Sequence, residues 1–273
     1  MLNIDIIDNA FKHCEYSNNP LPPIQFSKYI KWNRNNINYL DTNKSIFATE
    51  YDIKNTDFLS YSGKKVAWLL ECYELNKELY QWILTNYNLY DVVLTHSLDL
   101  CSKIPNSQWV PFGGCWIHQE DWGLHNKNKN ISIVASSKKF LPGHKLRHEV
   151  ISNFTNIDLF GGGYNPIDNK ITSLKQYKYQ IVIENASIPG YFTEKIIDCF
   201  VTGTIPIYYG DPKISEIFNI NGIITFSNIE ELKNILENPK DISYNYINEN
   251  FEKSKEYILT EDYIYKKYLK ILK

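Results

Sequence analysis

Apolar runs and polar breaks alternate along most of this chain, with the spacing expected of buried strands and amphipathic helices. Residues 65–71 form a short apolar run that ends on a carboxylate, and residues 91–96 form a second, so both are predicted strands. Residues 75–87 between them have the spacing of a helix. The stretch up to Gly63 is predicted to be irregular, apart from a short strand at residues 45–49.

A polar run at residues 126–130, Asn-Lys-Asn-Lys-Asn, is predicted to be a linker. Further strands are predicted at residues 108–112, 131–135, 157–160, 179–183, 204–209 and 223–226, and further helices at 144–154, 193–201, 229–236, 244–258 and 261–272. Strands that alternate with helices predict parallel α/β sheets. Because the alternation occurs on both sides of the polar run, we expect two Rossmann-like domains facing a cleft, residues 1–128 and 129–273.

Parallel sheets bind ligands at the carboxyl ends of their strands. Four places meet that condition here: Glu71, the turn at Gly161-Gly162-Gly163, the pair Glu184-Asn185, and the pair Gly210-Asp211. The glycine turn can let a backbone approach a ligand closely or can simply be a loose turn, and the sequence does not separate the two.

Residues 184–195, Glu-Asn-Ala-Ser-Ile-Pro-Gly-Tyr-Phe-Thr-Glu-Lys, are the densest polar cluster. A helix is predicted to begin near Thr193, which is a suitable N-cap, and a helix start with Lys195 in its first turn favours an anion. Glu184 and Asn185 can bind hydroxyl groups nearby. A nucleotide sugar offers both phosphate and hydroxyls, but a capped helix with a solvated Glu–Lys pair gives the same pattern, and these residues alone favour neither.

Three segments together resemble a known family. Glu184-Asn185 with residues 190–195 is similar to the donor-binding signature of the α-1,3/4-fucosyltransferases, glycosyltransferase family ten. Residues 204–210 resemble the strand that follows this signature, and residues 145–148 resemble the segment that carries the family's phosphate-binding arginine. The resemblance extends over about residues 131–226 and is weak before residue 65.

The resemblance implies a GT-B fold, an inverting reaction and GDP-fucose as donor. Arg147 and Lys195 would neutralise the diphosphate, and Asn185, Tyr191 and Glu194 would hold the ribose, base or sugar. Glu184 and Thr193 complete the expected donor-binding set. An arginine presents a planar fork to phosphate oxygens and a lysine a point charge, and both would stabilise the leaving GDP.

An inverting transfer needs a base for the acceptor hydroxyl, and a carboxylate suits that role. The resemblance implies a Glu after a strand of the N-terminal domain, and Glu71 is the matching position. Cys72-Tyr73-Glu74 follows it, which departs from the commoner family pattern, so Glu74 is a rival. A third reading is that both carboxylates merely cap the next helix.

Composition places the chain among globular proteins and argues against nucleic acid as a partner. Of its 273 residues 43% are hydrophobic and 22% charged, and the formal net charge is -2, which leaves no basic excess to follow a phosphate backbone. The cysteine number, 5, is odd and no C-x-x-C occurs, so a reducing compartment is expected. With no signal peptide or membrane-spanning run recognised, we expect a cytoplasmic protein.

Metal binding has little support in the sequence. No D-x-D motif occurs, and the one suggestive pair, His144 and His148, lies four residues apart without a third evident ligand. The sequence therefore predicts a metal-independent fucosyltransferase acting on a glycan acceptor. Two alternatives stay open: a transferase with another nucleotide sugar, and a non-catalytic glycan-binding protein on the same fold.

Overall fold

A computed structural model of the chain describes residues 1–9, 25–35 and 37–272. Two parallel β-sheets, with helices in the connections between their strands, make up this part of the chain. They belong to two compact units, Met1–Gly114 with Leu259–Lys273 and Cys115–Ile258.

The sheet of the first unit has six strands, all parallel, in the order β2-β1-β3-β4-β5-β6. The strands are β1 Leu2–Ile7, β2 Ile30–Asn33, β3 Ser45–Thr49, β4 Lys64–Leu69, β5 Val92–Thr95 and β6 Ser107–Trp109. The helices between them are α1 Thr56–Ser60, α2 Lys77–Asn86 and α3 Leu98–Lys103. A five-residue 3₁₀ helix, Glu50–Lys54, follows β3 directly.

Successive residues of β4 show why its sequence is apolar without interruption. Val66 and Trp68 pack in one hydrophobic cluster, which includes Trp32, whereas Ala67 and Leu69 pack in another. A parallel strand covered on both faces buries every side chain, so it reads as a continuous run rather than an alternation.

The expectation of an irregular start up to Gly63 is wrong, because β1, β2 and α1 lie there. Asp5 interrupts the apolar run of β1, and its carboxylate accepts a hydrogen bond from the side-chain amide of Asn33 in β2. A buried carboxylate in a strand is acceptable only when a partner satisfies it. That partner is remote in sequence, so the local pattern hides the strand.

The sheet of the second unit has five parallel strands in the order β11-β10-β9-β7-β8. The strands are β7 Lys129–Val134, β8 Asp158–Phe160, β9 Tyr177–Ile183, β10 Ile205–Tyr209 and β11 Ile224–Thr225. The helices of this unit are α4 Pro142–Asn153, α5 Glu194–Val201, α6 Ile229–Glu237 and α7 Tyr244–Ser254. Apart from β1, β2, α1 and α3, which the pattern did not predict, the elements lie within a few residues of the predicted ranges.

The two units divide after Gly114 rather than at the predicted linker, residues 126–130. This segment is fixed to the second unit, since the ammonium group of Lys127 donates to the Thr202 carbonyl and the Thr204 hydroxyl, both at 2.8 Å. Burial lowers the pKa of Lys127 to about 8. A polar composition therefore marks a well-bonded surface segment here and not a boundary.

The last helix, α8 Thr260–Leu272, belongs to the first unit, although the sequence assigned the terminal helices to the second domain. Its Ile264 and Ile271 pack in the cluster of Trp32 and Trp68, and the Ile271 carbonyl accepts a hydrogen bond from the Ser45 hydroxyl. The apolar face of an amphipathic helix does not specify which sheet it covers, so its sequence could not assign it.

Candidate functional site in the second unit

Glycine brings the start of α4 against the end of β9. A Cβ added to Gly143 would lie 1.8 Å from the Glu184 carbonyl oxygen, and the Gly143 amide donates to the Asn185 carbonyl at 3.0 Å. Pro142 before it suits the first turn of a helix, where no amide donor is needed. The helix start and the loop after β9 are thus locked together at the carboxyl edge of the sheet.

Glu184 ties the end of β9 to the start of α5. Its side chain is fully buried and accepts hydrogen bonds from the amide and the hydroxyl of Thr193, at 2.9 and 2.7 Å. Thr193 is the N-cap of α5, and its hydroxyl also accepts from the ammonium group of Lys195 at 2.9 Å. Glu184 and Thr193 therefore fix the geometry of the loop.

Lys195 lies between two carboxylates. Its ammonium nitrogen is 3.4 Å from Glu184 and 3.3 Å from Glu194, and its side chain is 24% exposed. Burial alone would raise the pKa of Glu194, but the positive charges of Lys195 and Lys170 outweigh it and hold that pKa below its usual value. Glu194 is therefore ionised at neutral pH.

Arg147 reaches from α4 to the same loop. Its guanidinium donates twice to the Ile183 carbonyl, through Nε at 3.0 Å and through Nη2, and Nη2 also donates to the Asn185 side-chain oxygen at 3.1 Å. The side chain is buried, and burial lowers its pKa. Bonds to a backbone carbonyl fix the plane of the fork before any ligand arrives.

A cavity of about 300 Å³ opens at this edge of the sheet. The residues of its wall with charged or polar side chains are Ser136, Lys138, His144, Arg147, Lys170, Gln180, Asn185, Glu194 and Lys195, and Trp116, Gly161 and Gly162 also contribute. The structure thus brings together Arg147, Asn185, Glu194 and Lys195 as predicted. An excess of cations over carboxylates makes the cavity suitable for an anion.

Three of the predicted donor-binding residues do not line this cavity. Glu184 and Thr193 lie beneath it as supports, and Tyr191 is 1% exposed, within the core. The Gly210-Asp211 turn is buried as well, and the Asp211 carboxylate accepts from the Lys213 amide at 2.8 Å. A signature motif does not distinguish residues that touch a ligand from residues that hold the loop.

Lys170 is a cation of the wall that the sequence did not single out. It forms a 2.6 Å ion pair with Asp198, whose side chain is fully buried, and its ammonium nitrogen lies 4.9 Å from the centre of the Trp116 ring. Burial lowers the pKa of Lys170, but Asp198 and Glu194 outweigh that effect and raise it, so the lysine is charged. Asp198 and Trp116 lie in segments far from Lys170 in the chain, so no local motif predicts these contacts.

His144 contributes a neutral ring to the wall. Burial first, and then the charges of Arg147 and other cations, lower its pKa to about 4. Its Nδ1 accepts a hydrogen bond from the Leu141 amide at 3.3 Å, so in the neutral ring the proton is on Nε2. His144 and His148 do not form a zinc pair, because both nitrogens of His148 are bonded, to the Lys138 carbonyl and the Tyr164 hydroxyl.

Gly161 is packed against the end of β7. It has a φ of 111°, and an added Cβ would lie 2.1 Å from the Ala135 carbonyl oxygen, whereas Gly162 has open space around it. The first residue of the turn is therefore tightly packed, whereas the second has free space around it.

Glu71 lies in the first unit, two residues after β4 ends. It is half-buried, its amide donates to Glu50 at 2.9 Å, and its carbonyl accepts from the Tyr80 hydroxyl at 3.0 Å. Glu74 is half-buried in the same loop. Glu50, which bonds this loop from the end of β3, was not predicted from the sequence.

Within residues 1–9, 25–35 and 37–272, no three His, Cys, Asp or Glu side chains are grouped so that they could hold a metal ion. In the same residues, no helix is both long enough and apolar enough to cross a membrane. The cysteines that the structure describes, Cys72, Cys101, Cys115 and Cys199, are free thiols.

A family model matches residues 124–259: glycosyltransferase family 10 (fucosyltransferase), C-terminal domain. An alpha-(1,3)-fucosyltransferase FucT of Helicobacter pylori is 41% identical over 88 residues, and alpha-(1,3)-fucosyltransferase B of Drosophila melanogaster is 36% identical over 87 residues. These matches cover 32% and 30% of this chain, and 18% and 19% of the relatives. The chain thus spans about a fifth of the length of these curated relatives.

The fold is similar to that of a solved protein described as alpha1,3-fucosyltransferase with GDP. The TM-score is 0.54 at 18% identity, over 94% of this chain and 88% of the other. A structure described as alpha1,3-fucosyltransferase with GDP-fucose gives 0.53 at the same identity and coverage. The predicted α/β fold of the GT-B type is confirmed. By the family model and the relatives, residues 124–259 of the chain belong to glycosyltransferase family 10, the fucosyltransferase family.

Proposed function

We propose that this chain is an inverting glycosyltransferase that moves L-fucose from GDP-fucose to a hydroxyl of a glycan. The observation that carries the proposal is the cavity of the second unit, whose wall includes four cations, Lys138, Arg147, Lys170 and Lys195, and one carboxylate, Glu194. Its fucosyltransferase relatives and the similar structures with GDP and GDP-fucose support the choice of donor.

In the proposed complex, Arg147 and Lys195 bind the diphosphate. Arg147 is pre-oriented by the Ile183 carbonyl, so it loses little freedom when a phosphate binds. As the bond from the sugar to the β-phosphate oxygen breaks, negative charge grows on GDP. Cations that are already fixed stabilise that charge without reorganising. Lys170 and Lys138 add positive charge, and the Nε2–H of His144 adds a neutral donor.

The hydroxyl groups of the donor have their own partners in this proposal. Glu194 is ionised and lines the cavity, so it accepts hydrogen bonds from ribose or fucose hydroxyls. Asn185 offers an amide beside it. Glu184, Thr193 and Tyr191 act indirectly by shaping the loop, which revises the roles expected from the sequence.

The first unit is the proposed acceptor side and supplies the base, Glu71. The carboxylate takes the proton of the acceptor hydroxyl as its oxygen bonds to the anomeric carbon. The electron pair of the breaking bond leaves with the β-phosphate oxygen of GDP. Attack opposite the leaving group inverts the anomeric configuration. Glu74 is the competing position for the base.

Metal independence and a cytoplasmic location are also parts of the proposal. The cations of the cavity can neutralise a diphosphate in place of a divalent ion, and the odd number of cysteines, 5, without C-x-x-C suits a reducing compartment.

A donor screen tests the function directly. Nucleotide release is measured with GDP-fucose, GDP-mannose, UDP-glucose and UDP-galactose, each in the presence of a mixed glycan array. Each assay is run once with excess EDTA and once with excess MgCl₂. We expect release of GDP with GDP-fucose, dependent on glycan and insensitive to EDTA. Release from another donor alone would favour the alternative transferase. Glycan binding without release from any donor would favour the non-catalytic alternative.

A further inference from the structure

Glu50 has a backbone conformation that is rare for its residue type. It follows β3 directly, and with a φ of 50° it is the one non-glycine residue of positive φ in the described part of the chain. Its exposure is 4%. Strained, buried and charged residues persist where the surrounding structure holds them, often beside functional groups.

The Glu50 carboxylate bonds both ends of the loop that carries Glu71. One oxygen accepts from the amides of Leu70 at 2.6 Å and Glu71 at 2.9 Å. The other accepts from the side-chain amide of Asn76 at 2.6 Å. Asn76 occupies the N-cap position of α2, where its side-chain oxygen makes no cap bond, and its side-chain NH2 group donates to Glu50.

The charge of Glu50 has a clear electrostatic setting. Burial raises its pKa, and the amides of Glu71, Leu70 and Asn76 oppose that effect only in part, so the pKa stays above its usual value. The carboxylate of Asp8, at the end of β1, adds to the rise. Asp8 is itself paired with Arg34 at 2.7 Å. The loop amides are thus the groups that favour ionised Glu50, and they bind it in return.

We infer that Glu50 is a positioning residue for Glu71. It clamps the loop of residues 70–76 to the end of β3, so that the Glu71 carboxylate is presented in one orientation to an acceptor hydroxyl. This inference rests on the proposed function, in which Glu71 is the base. Neither the family signature at residues 184–195 nor the strand pattern points to Glu50.

Four variants separate the clamp from its strain and its charge. E50A removes all three hydrogen bonds, whereas E50G removes them and also tolerates the positive φ. E50Q keeps one oxygen for the two amides but cannot ionise. D52N is the matched control, because Asp52 lies on the same 3₁₀ helix and accepts from Asn9 rather than from the loop.

Kinetics with GDP-fucose and the glycan acceptor selected by the donor screen give the first readout. A base displaced by about 1 Å can lose roughly 100-fold in rate. We expect kcat to fall by about that factor in E50A and E50G, by less than about tenfold in E50Q, and not in D52N. GDP affinity should stay within about twofold in all four, since the donor cavity lies in the other unit. E50G should melt at a higher temperature than E50A, although both transfer equally slowly.

Amide hydrogen exchange gives a readout that does not depend on transfer. The Leu70 and Glu71 amides should be protected in the wild-type protein and in D52N, and should exchange faster in E50A while the amides of β4 stay protected. Wild-type kcat in E50A, or unchanged protection of these two amides, would overturn the inference. The two assignments fail in different ways. If Glu71 is not the base, the E71Q variant keeps transfer activity. If Glu71 is the base but Glu50 does not position it, E71Q is inactive and E50A is active.

Discussion

The carboxyl edges of the two parallel sheets present different charged side chains. At the edge of the first sheet, β1, β3 and β4 are followed by the carboxylates Asp8, Glu50 and Glu71. At the edge of the second, α4 and α5 bring Arg147 and Lys195 to a cavity with further lysines. The architecture is the same, so topology decides where a site forms, and the side chains at the strand ends decide what it can bind.

The edges also differ in how their charges are held. The Glu50 carboxyl group accepts from backbone amides, and the Arg147 guanidinium donates to a backbone carbonyl. Each group fixes a loop through hydrogen bonds to the backbone, and those of the charged Arg147 are of the stronger, charge-assisted kind. An anionic edge suits proton removal, and a cationic edge suits a diphosphate. Substitutions at the two edges should therefore affect the transfer rate and the donor affinity separately.

The largest expected effect is on the base. E71Q keeps the shape of Glu71 but cannot take a proton, so kcat should fall by about 100- to 10,000-fold, the usual contribution of general base catalysis. GDP affinity, measured by titration calorimetry, should be unchanged. E74Q is the control. An inactive E74Q beside an active E71Q would move the base to Glu74.

The second effect is on the folding stability of the second unit. K170M leaves Asp198 buried without its 2.6 Å partner, and breaking such a pair costs about 3–5 kcal/mol. Urea unfolding should show that loss, and K170M/D198N should recover part of it. Lys175 pairs with Asp121 at 3.3 Å on the surface, so K175M should change stability by less than about 1 kcal/mol. Equal losses in K170M and K175M would contradict a buried pair.

The third effect is on donor affinity alone. R147K keeps a positive charge but loses the planar fork that the Ile183 carbonyl orients, so GDP affinity should fall by about 10- to 100-fold, or about 1.4–2.8 kcal/mol. Lys145 is exposed on the same helix, and K145Q should bind GDP as the wild type does. If R147K bound GDP normally, the cationic edge would not be the diphosphate site.

The smallest effect is on the pH dependence of stability. The pKa of His144 is about 4 in the folded protein and about 6.5 when unfolded, so the unfolded state binds more protons between these values. Folding stability should therefore fall as pH falls from 6.5 through 4. H144Q should lose on the order of 1 kcal/mol less than the wild type over this window in urea unfolding, because solvent in the open cavity weakens the effect of burial on this ring.

His96 in the first unit, with a pKa lowered to about 3 by burial, should contribute a loss of the same sign that remains in H144Q. A decline in H144Q as steep as that of the wild type would show that His144 is not buried as a neutral ring. The exposed His118 supplies a control variant, H118Q, which should follow the wild-type curve.

The loop of residues 184–195 shows what a sequence motif can and cannot predict about a site. Residues 184–195 indicated the family and a proposed donor site, and Arg147, Asn185, Glu194 and Lys195 do line one cavity. Tyr191, in the same motif, is buried in the core. A motif preserves both the residues that meet a ligand and those that support them, and only coordinates separate the two groups.

By itself, the sequence determined the alternation of strands and helices and the parallel α/β class, and it indicated the proposed donor loop, because these depend on local periodicity and on a contiguous signature. Only the tertiary structure decided the strand at Asp5, the unit that α8 covers, the pair of Lys170 with Asp198, and the clamp of Glu50 on the Glu71 loop. Each of these joins residues far apart in the chain. A buried charge is stable only beside its partner, and the fold alone brings that partner within reach.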